Sequence, residues 1–250
     1  MRISFRLVLS AVFLIGASGM LAFAGASPAA AQSAAAKVSP DDFGAWMMVY
    51  YQKPEPDAVP AAAARAIEQR RFDAQHAPSF MGFMAGYLRD NPDRLQATLA
   101  AMEGLTESDR QYTLAAAWLA AAPGSLEATS RRARLNEGGQ RLLDRANDAG
   151  IRPGDQVAPL SGYALDYMWG LFFSTGDAKA VLPMVALLDV ARSSDGDAMM
   201  MMNAAAAEWS LGSNAKRHKA IRDFCVAQVP RQPPAIAAKL KAIVEQADAQ

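Results

Sequence analysis

Apolar residues recur along most of this chain at intervals of three and four, which is the spacing of one face of an α-helix. Pro, Gly, Asn and Asp divide the pattern into runs of helical length joined by short turns. β-branched residues are sparse and no stretch alternates with a period of two, so we predict no strand. The predicted helices span residues 43–51, 61–72, 79–89, 95–102, 112–121, 126–149, 161–174, 177–191, 197–211, 215–229 and 233–247.

The helices follow one another in pairs, which predicts an all-α fold of stacked antiparallel helical hairpins, each about 40 residues long. A Met-x-Gly motif at 84–86 with an Asn-Pro-Asp turn at 91–93 recurs at 168–170 with a Thr-Gly-Asp turn at 175–177, an offset of 84 residues. In the second turn we expect Gly to end one helix in a left-handed conformation and Asp to cap the next. An irregular helical bundle gives the same spacing without repeats and is the alternative.

The first 31 residues have the pattern of a secretory signal peptide. Arg2 and Arg6 precede an apolar run over residues 7–23, and the small residues before the Ala31–Gln32 bond suit a signal peptidase. We expect cleavage at that bond and export to the periplasm or beyond, since this leader and the richness in alanine are typical of a Gram-negative bacterium. If the leader is not cleaved, its apolar run can anchor the protein in the inner membrane.

The exported part is predicted to consist of a short disordered tail over residues 32–38 and a single helical domain over residues 39–250. The chain has 25 basic and 25 acidic residues, and only two of the basic ones lie in the leader. This balance does not indicate binding to nucleic acid. Beyond the leader no apolar stretch is long enough to predict stable insertion in a membrane.

The sequence contains none of the common motifs of catalytic or cofactor-binding sites. It has no His-Glu-x-x-His, no Gly-x-Ser-x-Gly, no phosphate-binding loop and no Cys-x-x-Cys. A His-based triad would have to use His76 or His218, and we expect His76 to be exposed in a linker. The one cysteine, Cys225, lies between Phe224 and Val226 and is expected to be buried. We predict no metal or cofactor and favour a protein without catalytic activity.

The helix predicted at 161–174 is apolar on every side and is expected to lie at the centre of the fold. Asp166 is its one charged residue. A buried carboxylate needs a partner. We therefore expect Asp166 either to accept a hydrogen bond from a Trp or Tyr side chain on a neighbouring helix or to be a functional group with a raised pKa in a cleft.

The helix predicted at 197–211 is also largely apolar, with Asn203 and Glu208 as polar insertions. If the hairpins stack, this helix adjoins the helix at 161–174, and the polar residues of both converge near His218. These polar residues then either connect the helices through hydrogen bonds or form a binding site. The candidate binding residues are Asp166, Trp169, Asn203, Glu208, Trp209 and His218.

Four consecutive methionines, Met199–Met202, allow two interpretations. Methionine fills irregular gaps in cores, and it also forms deformable surfaces that bind several partners. Core filling is the interpretation favoured by the sequence. The arginines of the helix at 126–149 are interleaved with acidic residues, so we expect a solvated face there and not an anion-binding site.

Two segments carry a resemblance to a known family. They are residues 166–177 (DYMWGLFFSTGD) and residues 208–218 (EWSLGSNAKRH). These segments resemble an uncharacterised family of exported bacterial α-helical proteins with tetratricopeptide-like helical hairpins, over roughly residues 160–229. The resemblance implies a fold and a compartment, and it implies no activity.

The sequence as a whole favours a non-catalytic scaffold whose concave face binds a protein or peptide partner. The absence of catalytic motifs and the pairing of the helices lead to this expectation. The alternative is an enzyme or small-molecule-binding protein with a site around Asp166, Glu208 and His218.

Overall fold

The computed structural model describes residues 39–69, 76–121, 136–154, 156–158, 161–189 and 198–249. The predicted signal peptide and the predicted tail after it lie outside these ranges, as does the first part of the predicted helix at 126–149. Helices dominate the described part of the chain, so the prediction of an all-α fold is confirmed. Among the described residues no helix combines the length and the hydropathy needed to cross a membrane.

The helices differ widely in length and are numbered in chain order. They are α1 (Phe43–Val49), α2 (Val59–Glu68), α3 (Ala77–Asp90), α4 (Leu95–Ala101), α5 (Glu107–Ala120), α6 (Glu137–Asp148), α7 (Gly162–Thr175), α8 (Leu182–Leu187), α9 (Ala198–Arg217), α10 (Lys219–Gln228) and α11 (Pro234–Asp248). Short 3₁₀ segments lie at Tyr50–Gln52, Pro92–Arg94, Ala178–Val181 and Val229–Arg231. Each of them leads directly into or out of an α-helix, as 3₁₀ turns commonly do.

Capping residues in the sequence set both ends of α7. At its start the Ser161 side chain accepts a hydrogen bond from the backbone N–H of Ala164. At its end Gly176 has a φ of 71°, a left-handed conformation that glycine adopts without a steric penalty. Asp177 then accepts a hydrogen bond from the backbone N–H of Lys179. The predicted roles of the Thr-Gly-Asp turn are therefore confirmed.

The centre of the fold is a pair of helices, α3 and α7, whose backbones meet at glycines. A Cβ atom on Gly82 would lie 2.1 Å from the carbonyl oxygen of Tyr167, and one on Gly86 would lie 2.2 Å from Oγ of Ser174. These contacts advance in the same direction along both helices, so the two helices run parallel. A Cβ atom on Gly170 would likewise lie 2.1 Å from a carbonyl oxygen of α3. Only glycine permits so close an approach of two backbones.

The two Met-x-Gly motifs lie on this parallel pair, one on α3 and one on α7. Their methionines, Met84 and Met168, are both fully buried. Each of the two helices is followed by a turn, a 3₁₀ segment and a short helix, which is α4 after α3 and α8 after α7. The offset of 84 residues in the sequence therefore relates two segments with the same order of elements.

Other helices surround the central pair. α1 packs against α7, α5 packs on α3, and α6 packs on α5. Aromatic rings join the N-terminal elements to α3, because the ring of Phe83 lies 5.7 Å from that of Phe43 and 5.2 Å from that of Tyr50. These buried side chains belong to one continuous hydrophobic core.

The last three helices, α9, α10 and α11, all contact one another, and α8 also contacts α9. Two ion pairs support this group. Nζ of Lys239 on α11 lies 2.6 Å from Oε2 of Glu208 on α9, and Arg222 on α10 pairs with Asp248 on α11. Leu240 of α11 is fully buried between these helices and the rest of the core.

The region around residue 154 corrects the expectation that the chain has no strand. Ile151–Arg152 pairs antiparallel with Gln156–Val157. Gly154 lies between the two strands with a φ of 79°, which suits a tight turn. Strands of two residues are too short to produce an alternating pattern in the sequence, so the pattern did not indicate them.

α9 is longer than predicted, since it continues past residue 211 to Arg217. Gly212 does not end the helix, because a glycine inside a helix weakens it without forcing it to stop. The next helix, predicted from residue 215, begins at Lys219, and His218 occupies its N-cap position.

Candidate functional site

Asp166 is not the buried carboxylate that the sequence predicted, because its side chain is exposed at the surface of α7. The protein around it still displaces enough water to raise its pKa to about 6, an effect that nearby His76 opposes. His76 itself is exposed, as expected. On the same helix, Trp169 Nε1 and Tyr167 Oη are buried and have no hydrogen-bond partner within the described residues.

Two of the candidate residues, Trp169 and His218, belong to one aromatic cluster together with Tyr51, Phe172 and Phe173. The rings of Trp169 and Phe173 are stacked with their centres 6.0 Å apart, and the His218 ring lies 5.5 Å from Phe173. Tyr51 Oη lies 3.1 Å from Nδ1 of His218. The cluster joins the 3₁₀ segment after α1, the C-terminal half of α7 and the start of α10.

His218 is held as a neutral side chain within this cluster. Only 3% of its surface is exposed. Burial, together with the smaller effect of the charge of Arg217, lowers its pKa to about 4. Burial also raises the pKa of Tyr51, so the phenol keeps its proton in the hydrogen bond with His218. These surroundings favour a structural role, since a general base needs access to a substrate.

The three candidate residues on α9 have different surroundings. Asn203 is buried on the face that packs into the core. Glu208 is half-buried and paired with Lys239 of α11. Trp209 is 75% exposed. Glu208 and His218 thus contact different parts of the fold, and the described contacts do not bring either of them to Asp166.

The four methionines at the start of α9 do not fill the core. Met199–Met202 are all exposed, between 39% and 66%, which corrects the interpretation favoured by the sequence. Four identical residues in a row have no helical period, so their pattern could not show which side of the helix they occupy. Their exposure agrees with the second interpretation, a deformable apolar surface.

One side of α9 forms a continuous exposed surface that we call the α9 apolar face. Met202 and Trp209 are seven residues apart and therefore lie on the same side of the helix, with the exposed residues Ala205 and Ala206 between them. Met199 adjoins this side one turn earlier. The two alanines were not among the candidate residues predicted from the sequence. One signal for an apolar surface was present, because Glu208 is the one charged residue between positions 198 and 215.

A small cavity lies where α3 and α7 end, away from the α9 apolar face. Its volume is about 210 Å³, below the range of about 300–1,000 Å³ that holds most small-molecule ligands. None of the six candidate residues lines it. The lining residues are Arg89, Val157, Leu171, Thr175, Asp177, Lys179, Ala180 and Pro183.

The described residues contain no group of three or more His, Cys, Asp or Glu side chains that could hold a metal ion. Cys225 is fully buried, as expected, and burial raises its pKa to about 11. In the described part of the arginine-containing helix, Arg141 and Arg145 are exposed and Arg141 pairs with Glu137 at 3.5 Å, which confirms a solvated face there.

Comparison of the chain with protein-family models, with curated proteins and with solved structures gives no match.

Proposed function

We propose that this protein is an exported, non-catalytic scaffold that binds a protein or peptide partner through the α9 apolar face. The observation that carries the proposal is the exposure of Trp209, at 75%, beside exposed methionines on a surface without charge. Contiguous exposed apolar surface is uncommon on monomeric soluble proteins and marks interaction sites when it occurs.

The residue types of the α9 apolar face suit partner binding. Tryptophan is enriched among the residues that contribute most to binding free energy at interfaces. Methionine side chains adapt to partners of different shape because they are unbranched and polarisable. The exposed residues Ala205 and Ala206 between Met202 and Trp209 have small side chains, which suits the close approach of a partner helix.

The proposal includes an array of tetratricopeptide-like helical hairpins as the framework of the scaffold. The repeated order of helix, 3₁₀ segment and short helix at α3–α4 and α7–α8 supports it. Export is supported by the signal-peptide pattern of residues 1–31. The alternative site around Asp166, Glu208 and His218 has less support, because the first is exposed, the second is paired with Lys239 and the third is buried.

The proposal is tested by selecting peptides from a displayed library of amphipathic helices on the purified protein. The dissociation constant of a selected peptide is then measured by calorimetry for the wild type and for Trp209→Ala. We expect the substitution to raise the dissociation constant about 30-fold, the effect of a residue that contributes about 2 kcal/mol. Trp118→Ala is the matched control, because Trp118 is a second exposed tryptophan on α5. Peptide binding that is equally strong in both variants would contradict the proposal.

A further inference from the structure

We propose that the cavity where α3 and α7 end binds a free amino acid with a small apolar side chain. This site is separate from the α9 apolar face, and the inference does not depend on the proposed partner binding. The lining has an apolar half (Val157, Leu171, Ala180 and Pro183) and a polar half (Arg89, Thr175, Asp177 and Lys179). Apolar walls with a few polar groups that fix the orientation of a ligand are the usual form of a small-molecule site.

The volume of the cavity limits the size of the ligand. The cavity has about 210 Å³, which equals the volume of about seven water molecules at about 30 Å³ each. This is less than the space that drug-sized ligands occupy. Free amino acids with short side chains, such as alanine and valine, are of this size, whereas nucleotides and most cofactors are larger.

The charged residues around the cavity carry both signs, which suits a zwitterion. Arg89 and Lys179 can bind a carboxylate, and the carboxylate of Asp177 can bind an ammonium group. A second carboxylate, that of Asp90, accepts a hydrogen bond from Nε of Arg89 at 2.9 Å. These two positive and two negative charges sum to zero. A neutral ligand with two opposite charges therefore fits the site better than a simple anion or cation.

The turn that follows α7 holds the polar groups in place. Oγ1 of Thr175 accepts a hydrogen bond from the backbone N–H of Asp177 at 3.1 Å. Oδ1 of Asp177 in turn accepts one from the backbone N–H of Lys179 at 2.9 Å, which orients the carboxylate. Within the described part of the chain, Oδ2 of Asp177 accepts no hydrogen bond and the ammonium of Lys179 forms no ion pair. Both groups are therefore available to a ligand.

Separate elements of the fold converge on the apolar half of the cavity. Leu171 lies on α7 and Val157 on the second strand, while Ala180 and Pro183 belong to the 3₁₀ segment and to α8. The parallel helices α3 and α7 also bring their C-termini to this end of the fold. Helix C-termini carry a partial negative charge, which adds to the attraction of Asp177 for an ammonium group.

Titration of the ¹⁵N-labelled protein with L-valine, followed by NMR of the backbone amides, tests the proposal. We expect saturable shifts at Asp177 and Lys179 with a dissociation constant of about 1 mM or lower. Isovalerate, which lacks the ammonium group, and isobutylamine, which lacks the carboxylate, should bind at least about tenfold more weakly. The absence of saturable shifts up to about 50 mM L-valine, or equally strong binding of either analogue, would overturn the inference.

Two variants test the assignment to the cavity. Lys179→Gln and Asp177→Asn should each raise the dissociation constant of L-valine about tenfold. Asparagine also caps helices, so the second variant removes the charge and keeps the turn. Lys241→Gln is the matched control, because Lys241 is exposed on α11 and does not line the cavity. Binding of L-valine that neither cavity variant weakens would overturn the assignment.

This inference and the proposed function fail in distinguishable ways. Trp209→Ala, which should abolish peptide binding, should leave the binding of L-valine unchanged. If L-valine does not bind but peptide binding depends on Trp209, the amino-acid site is wrong and the scaffold proposal stands. Circular dichroism of each variant separates loss of binding from loss of folding.

Discussion

Tyr51 Oη and Nδ1 of His218 lie 3.1 Å apart, although 167 residues separate them in the chain. Tyr51 belongs to the 3₁₀ segment that follows α1, and His218 marks the break between α9 and α10. Both rings also pack on Phe172 of α7, at 4.8 Å and 5.7 Å. This contact joins the first described elements to the C-terminal helices across the central pair.

The burial of His218 makes stability depend on pH. Its pKa is about 4 in the folded protein, below the ordinary value of 6.5, so the unfolded chain takes up a proton first as the pH falls. The stabilisation is fully present above pH 6.5 and is lost as the pH falls towards 4. We expect a loss of about 3 kcal/mol from this residue across that window.

Urea denaturation of the wild type and of His218→Phe between pH 4 and pH 7.5 measures this contribution. The variant keeps an aromatic ring in the cluster and lacks the titrating group, so its stability should depend less on pH. His76→Gln, which replaces the exposed histidine, should keep the slope of the wild type. Equal slopes in the wild type and His218→Phe would show that His218 is accessible to protons in the folded state.

The close contact of α3 and α7 predicts opposite effects for two glycine substitutions. Gly170→Ala places a Cβ atom 2.1 Å from a carbonyl oxygen, so the helices must separate, and we expect destabilisation by about 3 kcal/mol or more. Gly212→Ala is the control, because no atom lies within 4 Å of its added Cβ. There we expect stabilisation by about 0.5–1 kcal/mol from helix propensity. Thermal or urea unfolding of both variants gives the comparison, and equal effects would contradict the close contact of α3 and α7 at Gly170.

Cys225 should be unreactive in the folded protein. Its side chain is fully buried and its pKa is raised to about 11, so little thiolate is present or accessible at neutral pH. A thiol reagent such as a maleimide should modify it only as fast as the protein opens. The engineered thiol of Ala206→Cys, on an exposed position, should react at once and serves as the positive control. Rapid modification of Cys225 in the native wild type would disprove its burial.

The Glu208–Lys239 ion pair should contribute little to stability and nothing directly to binding. Both side chains are partly exposed, at 43% and 29%, and such pairs contribute at most about 1 kcal/mol. We expect Glu208→Gln to lower the unfolding free energy by less than that amount and to leave peptide affinity unchanged. A large loss of affinity in Glu208→Gln would instead support the alternative site that includes this residue.

The sequence predicts the helices and their turns well because these depend on neighbouring residues. Gly176 and Asp177 act within one turn, so their roles in ending α7 and capping the next segment were predictable. The burial of α7 was also predictable, since a helix that is apolar on almost every side must be covered. The exposure of Asp166 was not predictable, because one exposed residue does not change the apolar pattern of the helix.

Features that depend on distant parts of the chain could not be predicted in the same way. Gly82 and Gly170 are ordinary glycines in the sequence, and only the meeting of α3 and α7 gives them a role. His218 is buried because Tyr51 and α7 cover it from far along the chain. Met199–Met202 lack a helical period, so their exposure depends on which side of α9 contacts α8, α10 and α11.

We propose that the α9 apolar face is open in the single chain and covered when a partner binds. Oxidative footprinting of Met199–Met202 and Trp209, read by mass spectrometry at a concentration where the protein is monomeric, tests it most directly. We expect rapid oxidation of these residues in the protein alone and protection when a selected peptide is added, with buried Met84 and Met168 unreactive in both states. Slow oxidation of α9 in the protein alone, or equal oxidation with and without the peptide, would contradict it.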